Sequence, residues 1–339
     1  TAYIRETVTR YDVDGFELDL TREMMSFRPG FESHGIEIMN RFMREVKAIL
    51  REAEIQHGHS IKLSVLVHAS PEVNYNAGFD VTQWAADGLI DVVVALPRWQ
   101  TVNADIPVQI WQKLLTPYGV KFAAGHQILL SPYPGGKVAP SSIDTVIGNA
   151  AVYLSKGAEF TYLYNYMDNT GKLMPNSDFE QNTLRKENLQ KIFRVAGDKQ
   201  AVCNSLRRHV LTYDDYPNYW NRVTARLPIE CPRKEGFESV RLPVGEIPDR
   251  AEVYLIMGIA AEERLINDDF EVYVNCSPVE LCATEPIATN VCDDPGYVFK
   301  VKTYADIMNY VVVELRTTGK AFKVNYMEIL IKPELSGKD

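Results

Sequence analysis

The sequence predicts two regions of different class. Residues 1–200 read as the latter part of a (β/α)8 barrel. Residues 205–339 read as an antiparallel β-sandwich or jelly roll. Three observations predict this. Short apolar runs alternate with helical periodicity through the first region, which is the pattern of buried parallel strands and crossover helices. Polar side chains recur at the C-terminal ends of those runs, where a barrel opens. Past about residue 205 helical periodicity fades, and β-rich runs separated by Gly, Pro, Asn and Asp replace it.

The elements follow in order. Residues 2–10 have helical spacing. "DG" then makes a turn into the strand "GFELDL". Residues 35–57 form a long helix, with Ile36, Met39, Phe42, Met43, Val46 and Leu50 on one stripe and Gly58 as its stop. "IKLSVLV" is a second strand. "GFDVTQWAADG" is a short helix with Asp80 at its N-cap. "IDVVVAL", "VKFAAGHQI" and "AEFTYLYNY" are three further strands. They alternate with helices over "IPVQIWQKLLTPYG", "PSSIDTVIGNAAVYLSKG" and "SDFEQNTLRKENLQKIFRVAGD". No GxGxxG follows a strand, so a dinucleotide-binding sheet loses support against a barrel. About five units are counted where a closed barrel needs eight, and the chain opens on a helix. The early strands are therefore expected in a preceding segment or another chain. In the second region "TTGKAFKVNYMEILI" reads as a last hairpin.

Composition narrows the partners. The net charge of −9 disfavours nucleic acid and anionic membrane surfaces, which need basic patches. No apolar run approaches the roughly 20 residues that span a bilayer. Neutral polymers and small molecules fit better. The five cysteines, an odd number, all follow residue 200 and form no CxxC pair, so neither a zinc site nor a cofactor is indicated. One or two disulfides are open.

The stretch "GFELDL" carries the chemistry. Successive strand residues face opposite sides, so Glu17 and Asp19 share one face while Phe16, Leu18 and Leu20 share the other. With the apolar face on the outer helices, the acids point into the barrel, Asp19 nearest the mouth. A buried carboxylate needs a partner. Lys62 or Ser64 on the next strand suits Glu17, and Arg22 suits either acid.

"YDVDGFELDL" followed by "TRE", with "GFDVTQWAADGLIDVVVALP" and "GAEFTYLYNY", resembles bacterial barrel proteins described as family-10-like glycosyl hydrolases, over roughly residues 1–200. The resemblance implies that the first strand is the fourth of eight, so that strands 4–8 are present. It also implies a poly- or oligosaccharide substrate, a carboxylate role for Asp19 and a sugar-hydroxyl role for Asn165; an extracytoplasmic or secreted setting is expected. The sequence departs from a chitinase-like strand, because Thr21 stands where a final Glu would be.

Glycoside cleavage normally uses two carboxyl groups. Asp19 is the first candidate, with Glu17 and Glu72 as catalytic partners and Glu23 or Asp168 also in place. The expected substrate-binding residues are Arg22, His68, Arg98, Trp99, His126, Gln127, Asn165 and Asp168, all at or beyond strand ends. "SPYPGG" is a rim loop. Asp268 and Asp269 are either calcium ligands or a turn. No HxH or HExxH spacing supports a metal. Three readings stand: a glycosidase, a non-catalytic carbohydrate-binding protein on a barrel scaffold, and a metal-assisted barrel lyase or isomerase using His68 and His126.

Overall fold

In the computed structural model, residues 1–22, 26–166, 186–213, 225–231, 237–302, 309–317 and 320–334 are described. The chain begins with α1 (Ala2–Arg10), β1 (Gly15–Asp19), α2 (Glu32–His57) and β2 (Lys62–His68). The predicted short helix is α4 (Val81–Ala86), and the segment before it forms a further short helix, α3 (Pro71–Asn76). Each helix has its own cap: Ser70 Oγ accepts from Val73 N, and Asp80 Oδ1 from Gln83 N. Next come β3 (Val92–Leu96), α5 (Val108–Leu115), β4 (Lys121–Gln127), the two-residue pair β5 (Leu129–Leu130) and β6 (Ala139–Pro140), α6 (Ile143–Ser155) and β7 (Phe160–Tyr164). α7 (Lys186–Val195) is described only from residue 186; the start of the predicted helix lies outside the described residues.

Strands β1, β2, β3, β4 and β7 form one parallel sheet in that order. Parity along each strand sets its two faces. Phe16, Leu18, Leu63, Val65, Val67, Val93 and Phe122 pack outward in one core with Val46 and Leu50 of α2. Trp84 and Trp111 anchor this layer. Both are fully buried, with indole N–H groups donating to Asn40 Oδ1 and to the Ala69 carbonyl. Burial of each such ring stabilises by about 2–3 kcal/mol. α2 ends where the sequence places its stop, at Gly58, whose φ of 81° is the left-handed conformation that glycine adopts without strain.

The sheet is strongly curled. β1 and β7 are its two edges, four strand intervals apart, roughly 19 Å if flat. Yet side chains of β1 and β7 hydrogen-bond to each other across the concave face. Leu66, Val94, Leu96 and Ala123 line that face.

α8 (Lys199–Cys203) and the antiparallel strands follow: β8 (Arg207–Val210), β9 (Ile229–Cys231), β10 (Phe237–Pro243), β11 (Ala251–Ala261), β12 (Phe270–Val274), β13 (Ser277–Val279), β14 (Leu281–Glu285), β15 (Gly296–Val301), β16 (Tyr310–Thr317) and β17 (Phe322–Pro333). One sheet runs β10-β16-β12-β13. A larger one runs β14-β15-β11-β17-β8, with β9 also paired to β17. Their facing sides share one core, with Leu242, Val272, Val313, Leu255, Phe299 and Ile329 in it.

The expected last hairpin is corrected here. β16 pairs with β10 and β12, whereas β17 pairs with β11, β8 and β9, so the two strands belong to different sheets. The reason is that β17 is buried on both faces. Met327, Ile329 and Ile331 enter the core between the sheets, while Tyr326 and Leu330 pack against Val102, Leu130 and Ala139 of the parallel unit. A strand covered on both sides belongs in a sheet interior. The loop carrying Tyr133 also turns toward the antiparallel core. Asp269 takes the turn role, accepting from Ile266 N at 2.8 Å and pairing with Lys320. All five cysteines carry free thiols.

Candidate functional site

The concave face of the parallel sheet gathers two carboxylates and two phenols into matched rungs. Glu17 Oε2 accepts from Ser64 Oγ at 2.8 Å, since parallel register sets those residues side by side. Glu17 Oε1 accepts from the Tyr162 hydroxyl at 2.8 Å. One rung nearer the mouth, Asp19 Oδ1 accepts from both Thr21 N and Thr21 Oγ1 at 2.8 Å. Asp19 Oδ2 accepts from the Tyr164 hydroxyl at 3.2 Å. Two residues of extended chain separate the rungs by roughly 6.6 Å. Burial first, and then the hydrogen bond to Glu17, push Tyr162 well above the usual phenol range. Burial and the charge of Asp19 also raise Tyr164, against a smaller opposite effect of Arg22 and Arg98. Both phenols therefore stay protonated and donate.

Beside the Asp19 rung lies a cationic and aromatic cluster. Arg98 is buried and donates from Nε to the Thr21 carbonyl at 3.3 Å and from Nη2 to the Arg22 carbonyl at 3.2 Å. It thereby ties the loop after β3 to the loop after β1. Its guanidinium carbon sits 5.1 Å from the Trp99 ring centre, and that of Arg22 sits 5.6 Å away. Such cation–π contacts fix the indole. Trp99 is nonetheless 49% exposed. Its φ of 27° and the 58° of Gln100 are unfavourable for L-residues, and a sharp turn at the mouth imposes them. Gln127 braces the same turn from β4 by donating to the Pro97 carbonyl at 3.2 Å.

His68 ends β2 on the concave side. Its ring is buried and stacks on Phe79 with centroids 6.3 Å apart. Burial, reinforced by Arg98 and opposed by Asp19, lowers its pKa to about 4, so it is neutral at pH 7.

The other expected residues are placed differently. His126 lies on the helix side of β4. Its Nδ1 is 2.9 Å from Asn149 Nδ2 of α6, and burial alone lowers its pKa to about 3. His68 and His126 thus occupy opposite faces of the sheet and cannot share a metal ion. Among the described residues no group of three His, Cys, Asp or Glu side chains has a metal-holding arrangement. Asn165 has a φ of 63° and is exposed in the turn after β7, so it belongs to neither strand face. Leu163 packs toward the helices, which turns Tyr162 and Tyr164 inward. Glu72 is exposed in the first turn of α3. Arg22 lies over Trp99, and Thr21 holds Asp19 instead. Glu23 and Asp168 lie outside the described residues.

The reading of the sequence missed the tyrosines. The signal was present: in "FTYLYNY" two phenols alternate with Thr161 and Leu163, and an inward carboxylate pair two residues apart calls for donors at the same spacing.

The chain matches no known family and no curated protein at a significant level. Among solved structures, similarity is found to a Paenibacillus sp. cycloisomaltooligosaccharide glucanotransferase complexed with cycloisomaltoheptaose. It is 9% identical, with a TM-score of 0.27, over 96% of this chain and 36% of that one. A second is a β-porphyranase of glycoside hydrolase family 86 from Bacteroides plebeius, at 9% identity and TM-score 0.27 over 89% and 74% of the two chains. A third is a family GH18 chitinase from Chromobacterium violaceum, at 8% identity and TM-score 0.28 over 99% and 68%. The chain spans about a third of the first of these.

Proposed function

We propose that the protein is carbohydrate-active and takes a poly- or oligosaccharide across the C-terminal mouth of the curled sheet, on a barrel scaffold of which these are strands 4–8. One observation carries this reading: an exposed carboxylate, Asp19, stands beside a half-exposed indole, Trp99, held by two guanidiniums. The open indole surface suits the C–H face of a pyranose. Asp19 Oδ2, with one phenol donor, keeps acceptor capacity for a sugar hydroxyl. Neutral His68 and Arg98 set the polarity of the wall behind it.

In hydrolysis Asp19 serves as base or nucleophile. Glu17 lies roughly 6.6 Å deeper along the strand, at the short end of the roughly 6.5–9.5 Å separation of inverting pairs. Glu72, on the rim, is the alternative acid. A binding role without turnover is favoured by a separate observation: both oxygens of Glu17 are already engaged by Ser64 and Tyr162. A lyase or isomerase with both histidines on one metal is set aside, because they face opposite sides of the sheet.

The test is a glycan panel assayed for turnover and for binding, with wild type, Asp19→Asn and Trp99→Ala. A hydrolase loses turnover in Asp19→Asn and retains binding. A binding protein shows affinity that Trp99→Ala reduces about tenfold or more, with no turnover in any form. Equal turnover by wild type and Asp19→Asn removes Asp19 from the chemistry. Absence of both binding and turnover rejects the whole reading.

A further inference from the structure

A cavity of about 390 Å³ lies where the parallel unit meets the antiparallel sheets, away from the Asp19 mouth. Asp105 after β3, Asn149 of α6, His209 of β8, Thr212 just beyond it, Arg226 and Arg241 of β10 line it. The volume sits toward the lower end of the roughly 300–1,000 Å³ typical of small-molecule sites.

Two lining side chains are buried with a polar atom left unpaired among the described residues. His209 is 2% exposed and Thr212 7%. His209 Nε2 is 3.3 Å from Arg207 Nε. A guanidinium only donates, so Nε2 is the acceptor, and in the neutral ring Nδ1 carries the hydrogen. Burial and the Arg207 charge keep that ring neutral. Neither His209 Nδ1 nor Thr212 Oγ1 has a hydrogen-bond partner among the described residues. A buried donor without an acceptor is costly, and native interiors rarely keep one.

The charge around the cavity is positive, in a chain whose net charge is −9. Asp105 is the acidic side chain of the lining, and it is fully engaged. Oδ1 accepts from Lys156 Nζ at 3.3 Å and from the Tyr310 hydroxyl at 2.7 Å, and Oδ2 accepts from Arg241 Nη2 at 2.7 Å. Two cations, Lys156 and Arg241, thus engage one carboxylate, and Arg226 adds a further positive charge to the lining. Arg226 is exposed at the rim.

We propose that this cavity is a second binding site, for a small hydroxylated carboxylate such as a sugar acid of monosaccharide size. His209 Nδ1–H and the Thr212 hydroxyl meet its oxygens at depth, and the guanidinium of Arg226 meets its carboxylate at the rim. Leu211 and Leu242 supply apolar wall. The assignment is independent of the Asp19 site.

The experiment is calorimetric titration of the full chain with D-glucuronate, D-galacturonate and D-gluconate, and with D-glucose as the uncharged comparison. The expected result is that at least one acid binds and that D-glucose is about tenfold weaker or worse. Thr212→Val, nearly isosteric, weakens the acid about fivefold, and Arg226→Gln, on an exposed residue, weakens it about tenfold. Asp19→Asn leaves the affinity unchanged, which separates this site from the mouth. Binding of none of the three acids, equal binding of D-glucose, or binding that Asp19→Asn abolishes while Thr212→Val and Arg226→Gln leave it intact would each overturn the assignment and leave water as the occupant.

Discussion

Glu328 is fully buried on β17, where its carboxylate accepts from Arg208 Nη1 of β8 and, at 2.7 Å, from the Tyr326 hydroxyl. Arg208 Nε also lies 3.7 Å from Asp144 Oδ2 in the first turn of α6. This charge network joins α6 to the larger antiparallel sheet. Glu328→Leu leaves the guanidinium buried with, among the described residues, the more distant Asp144 as its anionic neighbour. Arg208→Met leaves Glu328 with a single phenol donor. Removing one member of a buried pair strands the other in a low-dielectric interior, at a cost of about 3–5 kcal/mol. Removing both deletes two desolvation costs together with their mutual attraction. The double variant is therefore expected to be at least about 2 kcal/mol more stable than the sum of the single effects predicts. Urea unfolding followed by circular dichroism, on wild type, both single variants and the double, closes the cycle. Single effects below about 1 kcal/mol, or a double variant equal to the sum, would show that the network is not coupled and refute the reasoning.

Acid should destabilise the fold before its carboxylates titrate. The unfolded chain protonates His68 and His126 near 6.5, whereas the folded chain does not until about 4 and about 3, so stability falls as pH drops from 6.5 toward 4. A urea midpoint constant over that interval contradicts this. Gly148 of α6 faces the backbone of Arg208 so closely that a Cβ would overlap the carbonyl, and Gly148→Val should cost about 2 kcal/mol or more. Gly197→Ala, with open space around its Cβ position, is the control and should change little. Tyr162→Phe removes the phenol donor from Glu17 and should cost about 0.5–1.5 kcal/mol, because that bond ties the two sheet edges together. An unchanged unfolding midpoint would show that the curl is held elsewhere.

Local order was legible in the residues. Hydrophobic periodicity placed α2, β2, β3 and β4 with small boundary shifts, because a stripe or an apolar run is a property of the segment itself. The cap at Asp80 and the stop at Gly58 were equally local. The alternation of "GFELDL" was enough to send Glu17 and Asp19 to one face and Phe16 and Leu18 to the helices. "VKFAAGHQI" was harder to read, because it is apolar on both faces and nothing local says which is concave. His126 shares parity with Phe122, and its position under α6 follows only once Phe122 is known to face the helices.

Which residues extend, which coil, and which neighbours on one strand share a side follow from the order of amino acids, since these depend on contacts a few residues long. Tertiary structure decided what each side meets. Curling the sheet carried Tyr162 and Tyr164 across to carboxylates 145 positions earlier in the chain. Packing on both faces put β17 in a different sheet from β16, and the meeting of two layers left a polar cavity beside α6. Sheet order and curvature minimise the exposed apolar area of the whole chain, and no single segment carries that sum.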